Sequence, residues 1–197
     1  MSHPIYKYLM CSKRHGAPLM RTREKIALDI DDTLADVQGL VINRLRKAYG
    51  VPIAGNVFTD WYVSDLEANG ITRTSVSETY VAVWDEEWRS IPALASKSLI
   101  VEALKYYDID IVTSKSGGDL ESFKRWLEIN YTGVKFGNIL HVKSGIEEKA
   151  RLGCDIYIDD APSLAELLLS KYRPKKAHVS YRSALQQTRG GQRDGCY

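Results

Sequence analysis

Apolar residues in this chain fall into short compact runs separated by longer stretches with helical spacing. Residues 25–30 form the first run, Ile26-Ala27-Leu28 followed by Asp29 and Ile30, the length of a buried strand. Residues 38–49 come next, with Leu40, Val41, Leu45 and Ala48 on one helical face and Gly50 placed to end it. Further strands are expected at 108–113, 138–142, 155–158 and 176–181. Helices are expected at 96–107, from an Asp119 cap to Asn130, at 145–152, and at 161–172, where Pro162 suits a first turn. Strands alternating with helices predict an α/β fold in which a parallel sheet is covered on both faces.

The stretch from about 51 to 95 breaks this rhythm. It holds Trp61, Tyr62, Tyr80, Trp84 and Trp88 among many polar residues, with Asn69-Gly70 as a turn signal. A helix is expected over 78–88, against the preference of Val81 and Val83. The expected organisation is a core of residues 21–37 and 96–181, a small helical insertion at 38–95, a basic N-terminal arm at 1–20 and a polar tail at 182–197.

Composition changes the picture little. With 197 residues, 44% hydrophobic and 26% charged, the chain has enough apolar content for one sizeable core. A net charge of +2 gives no global reason to expect nucleic acid or membrane as a partner. No apolar run is long enough for a membrane span. Cys11, Cys154 and Cys196 are odd in number and form no C-x-x-C pair, which fits a reducing, cytoplasmic setting without a zinc site.

Candidate chemistry lies at the carboxyl ends of the expected strands, where ligands bind in such sheets. The first strand runs into Asp29-Ile30-Asp31-Asp32-Thr33. Buried like charges at one point need a compensating cation, and hard carboxylate oxygens suit Mg²⁺. Asp29 is placed to attack phosphorus as a nucleophile, and Asp31 to protonate a leaving oxygen and then activate water. Thr113, with Ser114 and Lys115 after it, ends the second strand where a phosphate oxygen can be held. A lysine is needed beside the anionic group; Lys149 and Lys143 are the candidates, with Lys149 preferred. Asp159-Asp160 ends the fourth strand and can complete a metal site, although Asp-Asp-x-Pro also suits a helix entry.

These four signals, in this order, resemble the haloacid dehalogenase (HAD) superfamily of phosphohydrolases. The match runs from Asp29-Ile30-Asp31-Asp32-Thr33 through Ile111-Val112-Thr113-Ser114 and Lys149 to Ile158-Asp159-Asp160. Asp32 stands where that family commonly has glycine. The resemblance implies a Rossmann-like three-layer core with a small helical cap of the C1 type between the first and second motifs. It implies Mg²⁺ held by Asp29, the Asp31 carbonyl and the acids Asp159 and Asp160, and an aspartyl-phosphate on Asp29.

Within the superfamily the chain is most similar to the 5'(3')-deoxyribonucleotidases, which have Thr-Ser and Asp-Asp at the second and fourth motifs. That resemblance implies a phosphoric-monoester hydrolase acting on nucleoside monophosphates, and a homodimer. Trp61, Tyr62, Trp84 and Trp88 are then the candidates for stacking a base; their alternative role is the insertion's own apolar packing. Alternative substrates are a sugar phosphate, another small metabolite or a nucleic-acid end. A phosphomutase using the same aspartyl-phosphate and a non-catalytic binding protein are the remaining alternatives.

Overall fold

The computed structural model describes residues 23–53, 64–114, 120–143, 145–172, 174 and 176–179. The basic arm at 1–20, the tail at 182–197, and Trp61, Tyr62 and Lys115 lie outside the described residues. Among the described residues five strands, β1 (Glu24–Leu28), β2 (Tyr107–Thr113), β3 (Ile139–His141), β4 (Ile156–Asp159) and β5 (Lys176–Val179), form one sheet in the order β3-β2-β1-β4-β5. Every pairing is parallel, with Leu28 opposite Ile111 on one side and Ile158 on the other.

The layering follows from the two-residue period of a strand. Ile26, Leu28, Ile109, Ile111, Ile156 and Ile158 point to one face and join a large apolar cluster. Ala27, Val112 and Tyr157, one residue out of phase, point to the other and join a smaller one. With both faces covered the central strands are buried almost throughout, as expected of a parallel sheet. The large cluster is completed by α1 (Gln38–Tyr49), α3 (Arg73–Glu86), α4 (Lys97–Ala103) and α5 (Leu120–Asn130), with the short α2 (Ser64–Glu67) contributing Leu66. The small cluster is covered by α6 (Ile146–Ala150) and α7 (Pro162–Leu167) with a following π-helical turn, Leu168–Tyr172. No described helix is long and apolar enough to cross a membrane.

Several boundaries differ from the sequence reading. The helix expected over 78–88 begins earlier, at Arg73, because the Thr72 hydroxyl accepts the Ser75 N–H and caps it. It ends at Glu86, and Trp88–Ser90 form a separate 3₁₀ turn. The helix expected over 96–107 stops at Ala103, and Tyr107 instead pairs with Glu24 at the start of β2. The insertion does not keep an apolar cluster to itself: Val41, Ile42 and Leu45 of α1 and Val76, Val83 and Trp84 of α3 belong to the cluster lining the sheet.

One buried charge sits in the middle of β2. Asp110, 2% exposed, accepts the Asn138 N–H at 2.8 Å and its side-chain amide at 3.1 Å, and pairs with Lys25 at 2.7 Å. It thereby ties β1, β2 and the entry to β3 together. Gly137 has no side chain because a Cβ there would lie 2.4 Å from Asp110 Oδ1. The expected outcome of Asp110→Ala is a loss on the order of 1–3 kcal/mol, read as a lower urea midpoint at unchanged slope; Lys25 itself is half exposed and can rehydrate.

Candidate active site

The strand order reverses direction at β1, whose neighbours β2 and β4 leave on opposite sides. Such a switch point opens a crevice at the carboxyl ends of the strands. Here it is a cleft of about 140 Å³ lined by Asp29, Asp31, Thr113, Lys149, Asp159 and Asp160, with Ser77, Tyr80 and Val81 of α3 facing them.

Asp29 continues β1 by one residue, its N–H bonded to the Ile158 carbonyl at 2.9 Å. The chain then folds tightly back: the Ile30 carbonyl accepts the N–H groups of Thr33, Leu34 and Ala35. This loop needs a left-handed residue, and Asp32 supplies it at φ 55°. Aspartate tolerates that region better than most residues. Its carboxylate also offers what glycine cannot. Oδ1 accepts the Val37 and Gln38 N–H groups at 3.1 and 2.7 Å, capping α1, and Oδ2 accepts the Tyr80 hydroxyl at 2.8 Å. The aspartate at this position therefore joins the loop to both α1 and α3.

Lys149, on α6, is 4% exposed and reaches both strand ends. Its Nζ donates to Asp29 Oδ1 at 2.6 Å and to Asp159 Oδ2 at 2.8 Å. Asp159 Oδ1 also accepts the Ala161 N–H at 2.9 Å, so the helix-entry role of this acid and its place in the site coexist. Lys143, the other candidate lysine, is exposed, and its backbone N–H binds Glu148. Thr113 is buried at the end of β2, and Ser114 beside it is half-buried and lines the cleft.

The electrostatics of this cluster are unbalanced. Burial, with the Asp159 and Asp31 charges beside it, pushes Asp29 well above the usual carboxylate range against the pull of Lys149. Asp160 is driven up by burial and by the charges of Asp29, Asp159 and Asp32. Burial disfavours the Lys149 ammonium, but Asp159 and Asp29 outweigh it and hold its pKa above the ordinary lysine value. Burial raises Asp32 to about 7, against the lowering by its Gln38 and Tyr80 hydrogen bonds.

Carboxylate oxygens of Asp29, Asp159 and Asp160 lie within 4.8 Å of one another. Among the described residues, these three carboxylates, fully ionised, face one ammonium, Lys149, and leave two negative charges unbalanced. A hard divalent cation bound by oxygen ligands matches both the charge and the donor type, so the residues present fit Mg²⁺. Asp31 lies beside them, half-buried.

Two aromatic residues expected to stack a base are placed otherwise. Trp84 is fully buried, ringed by Phe123 and Trp126, and donates its indole N–H to Asp31 Oδ1 at 2.7 Å. Trp88 is 7% exposed in the same apolar cluster, with the Arg89 guanidinium over its ring. Neither offers a free face to a ligand, because both contribute their area to the core instead. The sequence reading missed Ser77, Tyr80 and Val81 as the residues that α3 turns toward the cleft. Their signal was helical spacing: positions 77, 80, 81 and 84 share one face once the helix starts at Arg73.

No protein-family model matches the chain, and no curated protein sequence matches it. Among solved structures, protein tyrosine kinase A of Mycobacterium tuberculosis is similar at a TM-score of 0.56 and 15% identity, over 87% of this chain and 92% of that one. The L-2-haloacid dehalogenase of Xanthobacter autotrophicus overlaps at a TM-score of 0.40 and 16% identity, over 71% and 70% of the two chains. The first likeness is one of fold, and the second is too loose to carry an inference.

Two outcomes are expected. Mg²⁺ at about 100 times its Kd stabilises a single-site protein by about 2.7 kcal/mol, which for a domain of this size raises Tm by several degrees. Differential scanning fluorimetry should show this rise in the native chain and its loss in Asp160→Asn. The second outcome concerns pH in EDTA. The folded-state pKa values of Asp29, Asp32 and Asp160 are raised, so the folded protein binds more protons than the unfolded chain. Stability should therefore fall as pH rises from about 4 to about 7, the Asp32 window, by at most about 4 kcal/mol from that group. Urea midpoints across this range measure it, and Mg²⁺ should flatten the decline.

Proposed function

We propose that this chain is a Mg²⁺-dependent phosphomonoesterase of the HAD type that works through an aspartyl-phosphate on Asp29 and acts on nucleoside monophosphates. The observation that carries the reading is the meeting of Asp29, Lys149 and Asp159 at hydrogen-bond distance, with Asp31, Asp160 and Thr113 in the same cleft. Separate segments of sequence, each expected to bear one part of this chemistry, converge on one crevice.

In the first half-reaction a carboxylate oxygen of Asp29 attacks phosphorus in line. The bond from phosphorus to the ester oxygen breaks, and the Asp31 carboxyl gives its proton to the departing alcohol. Thr113 and Lys149 hold the phosphoryl oxygens, and Lys149 also keeps the Asp29 carboxylate in place before attack. In the second half-reaction the Asp31 carboxylate takes a proton from water as that water attacks phosphorus. The bond to Asp29 breaks and inorganic phosphate leaves. Asp29, Asp159, Asp160 and the Asp31 carbonyl would hold Mg²⁺, which when bound neutralises phosphoryl charge and polarises the phosphorus.

The nucleotide preference rests on the resemblance and on Trp61 and Tyr62, now that Trp84 and Trp88 are assigned to the core. On the α3 side the cleft is lined by Ser77, Tyr80 and Val81. Transfer of phosphate to a protein tyrosine has only the name of one structural neighbour behind it.

Turnover is tested with a panel of ribo- and deoxyribonucleoside monophosphates, sugar phosphates and p-nitrophenyl phosphate, with Mg²⁺ or EDTA. Mg²⁺-dependent phosphate release favouring nucleotides is the expected result. Asp29→Asn should lower kcat by at least about a thousandfold at unchanged fold, as expected when a covalent nucleophile is removed. Near-native turnover in that variant contradicts the covalent mechanism. Trp61→Ala and Tyr62→Ala should weaken nucleotide turnover and spare p-nitrophenyl phosphate; equal effects on both would remove the base-stacking role.

A further inference from the structure

Helix α3 carries two hydrogen-bond donors one turn apart that land on consecutive carboxyls of the catalytic loop. Tyr80 reaches Asp32 Oδ2 with its hydroxyl, and Trp84 reaches Asp31 Oδ1 with its indole N–H. The first braces the loop. The second touches the group assigned as general acid and base.

Resting on the phosphatase reading above, we propose that Trp84 is a positioning residue of the reaction, whose indole N–H sets the orientation of Asp31 and directs its acid proton to Oδ2. Indole nitrogen is a donor only and cannot accept a proton back. Oδ1 accepts the indole N–H at 2.7 Å, and a carbonyl oxygen is the better acceptor of a carboxyl group, so this contact favours the acid hydrogen on Oδ2. The same contact holds when Asp31 is ionised, so one fixed donor serves both half-reactions.

The donor is itself immobilised. The Trp84 ring meets Phe123 edge-on at 4.7 Å and Trp126 at 5.9 Å, and Trp126 meets Tyr131 at 5.8 Å. Trp126 donates to the Ile91 carbonyl and Tyr131 to the Ala95 carbonyl, each at 2.9 Å. All four rings are fully buried. Such a packed stack, pinned at two carbonyls, leaves the indole little freedom to follow a side chain that rotates, so Asp31 is held to the indole rather than the reverse. This accounts for a tryptophan buried beside a catalytic cleft where a purely apolar ring would fill the volume.

A merely structural role and a positioning role separate through the leaving group. An alkyl alkoxide needs its proton from Asp31, whereas p-nitrophenolate departs without one. The kcat/KM value reports only steps up to leaving-group departure, so water attack does not enter. Trp84→Phe keeps an aromatic ring against Phe123 and Trp126 and removes the N–H. Its kcat/KM for an alkyl phosphate should fall on the order of tenfold, part of the 10²–10⁴-fold that general acid catalysis supplies. The value for p-nitrophenyl phosphate should change less than about threefold, within the range that leaves the acid step untouched. Equal losses on both esters, or no loss on either, overturn the proposal.

A second measurement does not need turnover or a folded Trp84 variant. In ¹⁵N-tryptophan-labelled protein the Trp84 indole N–H resonance should move upfield in Asp31→Asn, where a neutral amide replaces a charged acceptor, while the Trp126 resonance stays. An unmoved Trp84 resonance overturns the contact and the proposal together. If the native chain hydrolyses neither ester, the hydrolase reading and the positioning role both fall, and a resonance that still moves shows that the error lay in the chemistry and not in the geometry.

Discussion

One ammonium surrounded by buried carboxylates is the constraint on which this structure turns. Lys149 reaches Asp29 and Asp159 across the boundary between β1 and β4, where the strand order reverses. Without it the two buried strand ends would present unpaired charge to each other, at a cost of several kcal/mol per ion. With it, the three acids Asp29, Asp159 and Asp160 are still too negative by two charges when ionised, counted over the described residues. That residual imbalance is what fits the site for a divalent cation. A cluster tuned for stability alone would use fewer acids or more bases.

The surroundings are organised to hold that cluster still. Asp32, in a left-handed turn, uses both carboxylate oxygens to tie the loop to α1 and α3. Trp84 then fixes Asp31 from the same helix, and the aromatic stack behind Trp84 transmits the rigidity of α5 and the 91–95 segment. The helix that covers the cleft is thus continuous with the core beneath it, through both hydrogen bonds and the large apolar cluster. The residues that this helix turns toward the cleft are Ser77, Tyr80 and Val81.

Much of this was legible in the sequence because it depends on local rules. Apolar runs ending in Asp, Thr or Asp-Asp marked the strand ends, and a parallel sheet brings such ends together. Lys149 could be preferred to Lys143 by its place before the fourth strand, and only the structure shows its ammonium between two carboxylates. Trp84 and Trp88 were not legible, because tryptophan suits a stacking platform and a buried core equally well. Trp84 lies on α3, whose start is set by the Thr72 cap that periodicity alone does not register, and Trp88 lies beyond that helix in a 3₁₀ turn. The role of Asp32 escaped for a related reason: its partners Tyr80, Val37 and Gln38 include one 48 residues away.

The central claim is that phosphate passes through the side chain of Asp29. The most direct test is to quench the Mg²⁺-loaded chain in acid during turnover of p-nitrophenyl phosphate and to locate the phosphoryl group by peptide mass spectrometry. The account predicts an acid-stable, hydroxylamine-labile phosphoryl group on the peptide containing Asp29, missing in EDTA and in Asp29→Asn. A phosphoryl group on another residue, or phosphate release with no covalent adduct at any time point, would contradict it.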